Sequence, residues 1–343
     1  MNLKRKVFVC SLIACIVFYG GALFAQAVDY QAKIKELQDK QKELVTKMNE
    51  ASQSGDRAAY DALREEYDKV KAEIDEIKAQ LAAQGDKESQ IKSAFNKGIK
   101  EIRMGQYENA LASFDQTLAL DPNHAKAYAS KGIALRRLRR YQDAEAAYQK
   151  AIELEPDYSQ AYFNLGVLYR DMEEFDKAIG VYRRALEQDS TLSKAHYEIG
   201  VIYTRQKNHS AAADAFRKAT AIDDKYSKAF NALGVALIEL GRNREAIDAL
   251  QKAITAQPDF ADAYYRMAQA NNNLSQFEQA LMAAQTALTY KKRFPECHIE
   301  IGKAYEGLGD KTNAIASFQE AGKDRRWKKW VDWKIDRLKK QGQ

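Results

Sequence analysis

One alanine recurs every 34 residues, seven times, with no insertion between the copies. This column comprises Ala110, Ala144, Ala178, Ala212, Ala246, Ala280 and Ala314. A glycine column lies twelve residues before it, at Gly98, Gly132, Gly166, Gly200, Gly234 and Gly302, with Ala268 as its exception. Small residues at a fixed spacing are needed where helices cross closely and the crossing repeats. The columns therefore predict an array of stacked units.

Two further columns show what each unit is. Large residues follow the alanine column by four positions, at Phe114, Tyr148, Tyr182, Phe216, Leu250 and Phe318. A second small column follows it by seven positions, at Thr117, Ala151, Ala185, Ala219, Ala253, Ala287 and Ala321. Spacings of four and seven keep residues on one face of a helix. Two helices of about 12 to 14 residues with short turns fill such a period, so each unit is predicted to be a helical hairpin.

The pattern resembles the tetratricopeptide repeat. Its signature is read in Tyr162, Leu165, Gly166, Tyr169, Ala178, Tyr182 and Ala185. The resemblance implies an all-α, right-handed superhelical solenoid of seven repeats, 91–124, 125–158, 159–192, 193–226, 227–260, 261–294 and 295–328. The proline that closes a repeat is present at Pro122, Pro156 and Pro258. Ser190, Asp224, Lys292 and Arg326 replace it elsewhere, and these turns are expected to be less rigid.

The first 27 residues have the pattern of an export signal. Lys4, Arg5 and Lys6 precede an apolar run at 7–24, and the small-x-small sequence Ala25-Gln26-Ala27 follows. We expect export from the cytoplasm with cleavage after Ala27, most simply to the periplasm. An uncleaved inner-membrane anchor with the repeats outside the cytoplasm is the alternative, because the run approaches the length that spans a bilayer. Secretion is a further alternative.

Residues 28–84 are predicted to form two helices. Apolar residues follow a three-four spacing through Ile34, Leu37, Leu44 and Met48, and again from Tyr60 to Leu81. Gln53-Ser54-Gly55-Asp56 interrupts the pattern, with Asp56 placed as an N-cap. The segment is either an antiparallel hairpin or a coiled coil that makes the protein a homo-oligomer. Residues 85–90 are expected to be a polar linker to the repeats.

The C-terminal residues, 329–343, are expected to cap the array. Trp327, Trp330, Val331, Ile335 and Leu338 share one side of the predicted helix, which suits a cap over the last hairpin. Membrane contact through this Trp- and Lys-rich helix, or through the N-terminal segment, is the alternative.

The resemblance implies that the first helix of each repeat lines a concave groove, so candidate binding residues are sought there. The apolar and amide candidates are Phe95, Ile133, Phe163, Val167, Tyr197, Val201, Asn231, Tyr265 and Gln269, of which Phe163 and Tyr197 are preferred. A basic fringe is formed by Lys126, Arg136, Arg137, Arg170, Lys194 and Arg205. Arginine holds a carboxylate by two hydrogen bonds, which favours a protein or peptide partner of acidic character. The alternative for the apolar candidates is that they pack between neighbouring hairpins. The alternative for the basic fringe is that it is an ordinary solvated surface.

The sixth repeat is the most divergent. It has Ala268 for glycine, Ala284 for the large residue, and Asn271-Asn272-Asn273 at the end of its first helix. Gln269 and Asn272 are candidates for hydrogen bonds to an extended peptide. A loosely packed bend is the alternative reading, and the favoured one.

No catalytic motif is found in the sequence. It contains no nucleophile elbow, phosphate-binding loop or metal-binding histidine pair, and its four histidines are far apart. We therefore expect no enzyme activity, no cofactor and no metal. The small net charge of +6 does not favour nucleic acid. The predicted function is a protein-interaction scaffold or adaptor of the periplasm or cell envelope that organises a multi-protein assembly. The alternative is a structural envelope component that oligomerises through residues 30–84 and contacts membrane or cell-wall polymer.

Overall fold

The computed structural model describes the backbone of residues 20–340 and the side chains of residues 30–340. Sixteen α-helices and no strand lie within this range. Residues 1–19 of the predicted export signal lie outside it. No helix among the described residues combines the length and apolar character required to cross a membrane.

The chain divides into two compact units, residues 1–122 and 123–343. The first contains α1 (Gly20–Ser54), α2 (Arg57–Arg103) and α3 (Tyr107–Leu120). The second contains α4 (Ala125–Arg137), α5 (Tyr141–Leu154), α6 (Ser159–Asp171), α7 (Phe175–Gln188), α8 (Ser193–Arg205), α9 (His209–Ile222), α10 (Ser227–Glu239), α11 (Asn243–Ala256), α12 (Ala261–Asn273), α13 (Phe277–Tyr290), α14 (Pro295–Gly307), α15 (Lys311–Gly322) and α16 (Arg325–Lys340).

Helices α1 and α2 pack against each other as a hairpin. The chain reverses at Gly55, whose φ of 74° lies in the left-handed region. Asp56 caps α2 as predicted, since its carboxylate accepts a hydrogen bond from the Ala59 amide at 2.9 Å. The core of the hairpin is small and consists of Leu37, Leu44, Val70 and Ile74.

The linker predicted at 85–90 is wrong, because α2 runs through it without interruption. Gly85 is exposed, and a side chain there would contact nothing. A solvated glycine inside a helix costs only about 1 kcal/mol relative to alanine. The helix formers on both sides outweigh that cost, so α2 also supplies the first helix of the first repeat and packs on α3.

In the second unit the helices pair in sequence, α4 with α5 through α14 with α15. The alanines of both small columns in these repeats are fully buried, with no exposed surface. The glycines allow the pairing. A Cβ placed on Gly200 would lie 2.5 Å from Cε1 of Phe216, and one on Gly166 would lie 2.6 Å from Cδ1 of Tyr182. The large residue therefore fills the space that the glycine leaves, as the sequence predicted.

The turn between the two helices of each repeat has one residue with positive φ. Its φ lies between 58° and 78°, and the residues are Gly105, Arg139, Glu173, Lys207, Gly241, Ser275 and Gly309. In the second repeat the Arg140 amide donates to the Leu135 carbonyl at 2.9 Å, and the Arg139 amide donates to Arg136 at 3.0 Å. This is a Schellman motif, which ends the first helix and turns the chain into the second. This column was not among those predicted from the sequence.

Two of the turns between repeats that lack proline are restrained by side-chain hydrogen bonds. The carboxylate of Asp189 accepts hydrogen bonds from the Thr191 amide at 2.9 Å and the Thr191 hydroxyl at 2.6 Å. Asp223 accepts from the Lys225 amide at 3.0 Å. These side-chain turns restrain the backbone at the positions of Ser190 and Asp224, where we had expected less rigidity.

Candidate functional site

An apolar stripe crosses the first helices of four consecutive repeats in the second unit. Ile133, Val167, Val201 and Val235 form it, one each on α4, α6, α8 and α10. All four side chains are half-buried, so the stripe keeps apolar surface in contact with water. Gln269 ends it on α12, where its side-chain oxygen accepts a hydrogen bond from Arg266 at 3.0 Å.

The predicted aromatic anchors lie beside the stripe but pack on neighbouring helices. The rings of Phe163 and Tyr182 are 5.6 Å apart between centroids. Tyr197 lies 5.6 Å from Phe216 and 5.2 Å from Tyr226. Each anchor is half-buried. The rings therefore support the hairpins as well as offering an exposed edge.

The remaining members of this column differ. Tyr265 packs on Phe294, with centroids 5.0 Å apart. Asn231 has a buried side-chain oxygen without a hydrogen-bond partner among the described residues. Phe95 belongs to the first unit, where it is half-buried with its ring centroid 5.9 Å from that of Phe114.

Arg136 and Arg170 of the predicted basic fringe form an ion-pair chain with this protein's own carboxylates. Asp171 bonds to both Arg136 and Arg170, the latter at 2.8 Å, and Arg170 also bonds to Glu198. The four side chains are 14% to 27% exposed. Burial alone would raise the pKa of Asp171, but hydrogen bonds from Arg170 and Arg136 hold it below its usual value. The two arginines therefore join repeats two, three and four.

Beneath this chain lie Tyr148 and Tyr182, the large residues of repeats two and three, both fully buried. Burial raises the pKa of Tyr148 to about 12, so its hydroxyl stays protonated at neutral pH. Four of the other repeats place Phe or Leu at this position, and the sixth has Ala284. Tyrosine at this position is therefore confined to repeats two and three.

The other four basic candidates are solvent-exposed. Lys126 and Lys194 lie in the first turns of α4 and α8, and Arg137 and Arg205 end the same helices. The structure thus separates the predicted fringe into two arginines that hold the scaffold together and four cations that face water. The carboxylates of Asp171 and Glu198 were missed, because pairs 28 and 35 residues apart emerge only once the repeats are stacked.

In the sixth repeat, Asn272 is already engaged within the protein. Its side-chain nitrogen donates to the Glu300 carbonyl at 2.9 Å and to the Glu300 carboxylate at 2.8 Å. Ala268 and Ala284 are fully buried, in one apolar cluster with Phe294 and Cys297. Phe294 therefore supplies an aromatic ring in the repeat where Ala284 replaces the large residue of the column.

Titratable side chains do not gather into a reactive site in the described part of the chain. No group of three or more His, Cys, Asp or Glu residues there could hold a metal ion. Burial raises the pKa of the Cys297 thiol to about 12, which keeps it protonated and unreactive. Burial also lowers the pKa of His196 and of His298.

Models of the tetratricopeptide repeat match residues 95–159, 130–193 and 163–227, and again 295–321, while a TPR repeat model matches 235–275. The chain is a tetratricopeptide repeat protein. The C-terminal part of a TPR repeat-containing protein from Cytophaga hutchinsonii has the same fold, with a TM-score of 0.56 and 19% identity over 66% of this chain and 93% of that one.

Two further solved structures are similar over shorter ranges. YrrB, described as a TPR protein with an unusual peptide-binding site, has a TM-score of 0.48 and 24% identity, covering 52% of this chain and 91% of that one. MamA has a TM-score of 0.45 and 28% identity, covering 48% and 96%. No curated protein matches the sequence. The tetratricopeptide family and fold support a protein-interaction scaffold.

Proposed function

We propose that this tetratricopeptide protein is an exported, non-enzymatic scaffold that binds a segment of a partner protein along the apolar stripe. The observation that carries the proposal is the stripe itself, since Ile133, Val167, Val201 and Val235 keep apolar surface in water over four repeats. Burying one such side chain fully contributes about 1.5 to 3 kcal/mol, so covering the exposed part of all four favours association with a complementary apolar segment.

The partner segment is proposed to be acidic. Lys126 and Arg137 on α4, with Lys194 and Arg205 on α8, are exposed at both ends of the helices that carry the stripe. An acidic segment laid across these helices gains charge-assisted hydrogen bonds at its edges and apolar cover at its centre. Arg136 and Arg170 contribute by fixing the spacing of the helices, because their guanidinium groups are held by Asp171 and Glu198.

Export is proposed from the N-terminal pattern of basic residues, apolar run and Ala25-Gln26-Ala27. Mass spectrometry of the protein purified from its native host tests this directly. A mature N-terminus at Val28 and recovery outside the cytoplasm are expected. Recovery of the protein in the cytoplasm would refute export. An intact N-terminus in the membrane fraction would show that the segment is an uncleaved anchor instead of a cleaved signal.

Partner capture from the native host tests the binding face. Replacement of Ile133, Val167 and Val201 by threonine keeps the β-branching of each side chain and replaces apolar surface with a hydroxyl group. We expect the enriched partners to be lost while the melting temperature stays within about 3 °C of the unmodified protein, because each side chain is only half-buried and threonine keeps its β-branching. The matched control is Met282→Thr, at a side chain that is 66% exposed on the second helix α13.

The proposal is supported if the triple variant loses its partners and the Met282→Thr control keeps them. Equal capture by the triple variant and the unmodified protein would exclude the stripe as the binding site. Phe163 and Tyr197 are unsuited to this test, since their rings pack on Tyr182 and Phe216 and their removal disturbs the hairpins.

A further inference from the structure

The C-terminal helix α16 continues the register of the repeats. Its buried residues Val331 and Leu338 lie 34 positions after the buried Cys297 and Ala304. Lys334 forms an ion pair with Glu306 at 2.7 Å. That pair spans 28 positions, as do Arg170 with Glu198 and Asn272 with Glu300. Helix α16 therefore occupies the place of the first helix of an eighth repeat.

Most of α16 is adapted to its place at the end of this stack. Trp327, Trp330 and Ile335 pack with Val331 and Leu338 on the apolar cluster of the seventh repeat. Asp332 occupies the position at which most earlier first helices have an aromatic residue or a histidine. Asp336 occupies the position of the glycine column. Both aspartates are exposed. These charges solvate the side of α16 that would otherwise receive a second helix.

Trp333 does not follow this adaptation. It stands in the same repeat position as Phe163, Tyr197 and Tyr265, yet it is 54% exposed. Its ring is accompanied by Arg337, whose guanidinium carbon lies 5.6 Å from the ring centroid. Arg337 occupies the repeat position of Val167, Val201 and Gln269. On α16 a tryptophan therefore occupies the position of the aromatic column, and an arginine occupies the position of the apolar stripe that Gln269 ends on α12.

The charge around this pair is strongly positive. Eight Lys or Arg residues and two Asp residues lie between Arg325 and Lys340. Lys334 is paired with Glu306 and Lys340 with Asp336, whereas Arg337 has no carboxylate partner among the described residues. A guanidinium stacked on an indole keeps its planar N–H edge available to a carboxylate, and the stacking orients that edge.

We propose that Trp333 and Arg337 form a terminal subsite for an acidic segment of a protein partner. The indole receives an apolar side chain and the guanidinium holds a neighbouring carboxylate. An anionic bilayer is a poorer match, because an interfacial helix turns a whole apolar face outward and α16 turns that face onto the seventh repeat. The subsite extends the proposed function to another part of the first-helix side.

The test uses the full-length protein and a fluorescein-labelled octapeptide of alternating aspartate and phenylalanine, with an asparagine-phenylalanine peptide as neutral control. Binding is measured by fluorescence anisotropy. Trp333→Ala and Arg337→Gln are each expected to raise Kd about fivefold or more, the size of one lost cation–π or charge-assisted contact. Trp333→Phe should restore most of the affinity. Lys339→Gln removes the same charge from another side of α16 and should change Kd less than about twofold.

Equal effects of Arg337→Gln and Lys339→Gln would show general charge attraction and overturn the subsite. Equal affinity for the neutral peptide would also overturn it. A second arm sediments the protein with phosphatidylglycerol vesicles. Vesicle binding that Trp333→Ala abolishes, with peptide binding unchanged, would assign this surface to lipid instead. The Ile133, Val167 and Val201 substitutions leave α16 intact, so the subsite and the stripe can fail independently.

Discussion

The close crossing of helices at the glycine column gives a quantitative prediction for Gly200. A methyl group there would lie 2.5 Å from Cε1 and 2.7 Å from Cδ1 of Phe216, a ring that is only 2% exposed and cannot move aside. Overpacking of this kind costs about 1 to 3 kcal/mol, and the helix propensity gained from Gly to Ala returns about 0.5 to 1 kcal/mol. Gly200→Ala should therefore lower the free energy of unfolding by about 1 to 2 kcal/mol.

The same substitution should change sign when the ring is absent. Phe216→Ala alone should cost about 3 to 5 kcal/mol, because it opens a cavity. In that background Gly200→Ala has space and should stabilise by about 0.5 to 1 kcal/mol. The sixth repeat already uses this combination, with Ala268 and Ala284 both fully buried. The double-mutant cycle should thus show a coupling of about 1.5 to 3 kcal/mol.

Urea unfolding followed by circular dichroism measures the cycle. Gly180→Ala is the matched control, because Gly180 lies inside helix α7 and a Cβ there would contact nothing within 4 Å. That variant should be stabilised by about 0.5 to 1 kcal/mol. A Gly200→Ala cost that is the same with and without the Phe216 ring would refute the packing argument.

Two more predictions concern the turns and the ion-pair chain. Lys207→Gly should stabilise the protein by about 1 kcal/mol and Gly241→Ala should destabilise it by a similar amount, since both residues have φ in the left-handed region. Urea unfolding checks this: the changes in the free energy of unfolding should have opposite signs, and equal signs would contradict the prediction. Asp171→Asn should lower the free energy of unfolding at pH 7 by about 1 to 2 kcal/mol, because it leaves two partly buried guanidinium groups without their shared carboxylate. The folded-state pKa of Asp171 is depressed, so its contribution is present above the unfolded pKa of about 3.9 and is lost as pH falls through the folded value. The difference between the two proteins should shrink as the pH falls below about 3.9, and a difference that stays constant through the acid range would show that the carboxylate charge is not the cause.

Packing columns were predictable from the sequence because each repeat must meet its neighbour in the same way. Gly200 and Phe216 have counterparts at multiples of 34 residues in every repeat except the sixth, and the structure brings each glycine against its large residue as expected. The left-handed turn column was harder to find. Arg139, Glu173, Lys207 and Ser275 are not typical of positive φ, although the glycines of three repeats at this position were the available signal.

Two features of the structure could not be predicted from the sequence. The helix continues through Gly85 because the helix propensity of the residues on both sides outweighs the cost of one glycine. The short polar sequence at 85–90 does not reveal that balance. The roles of Arg136 and Arg170 depend on which side chains lie opposite after stacking, and Asp171 and Glu198 are distant in sequence. The sequence placed the candidate residues on the first helices but did not distinguish arginines that bind this chain's own carboxylates from cations that face water.

The most direct test of the binding face is site-specific photo-crosslinking in the native host. A benzophenone side chain is placed at Val201 in the apolar stripe, or at the exposed Met282 on α13 as the control. We predict that Val201 forms crosslinks to a defined partner through an acidic stretch of its sequence and that Met282 does not. Crosslinks to the same partner from Met282, with none from Val201, would contradict the assignment of this face.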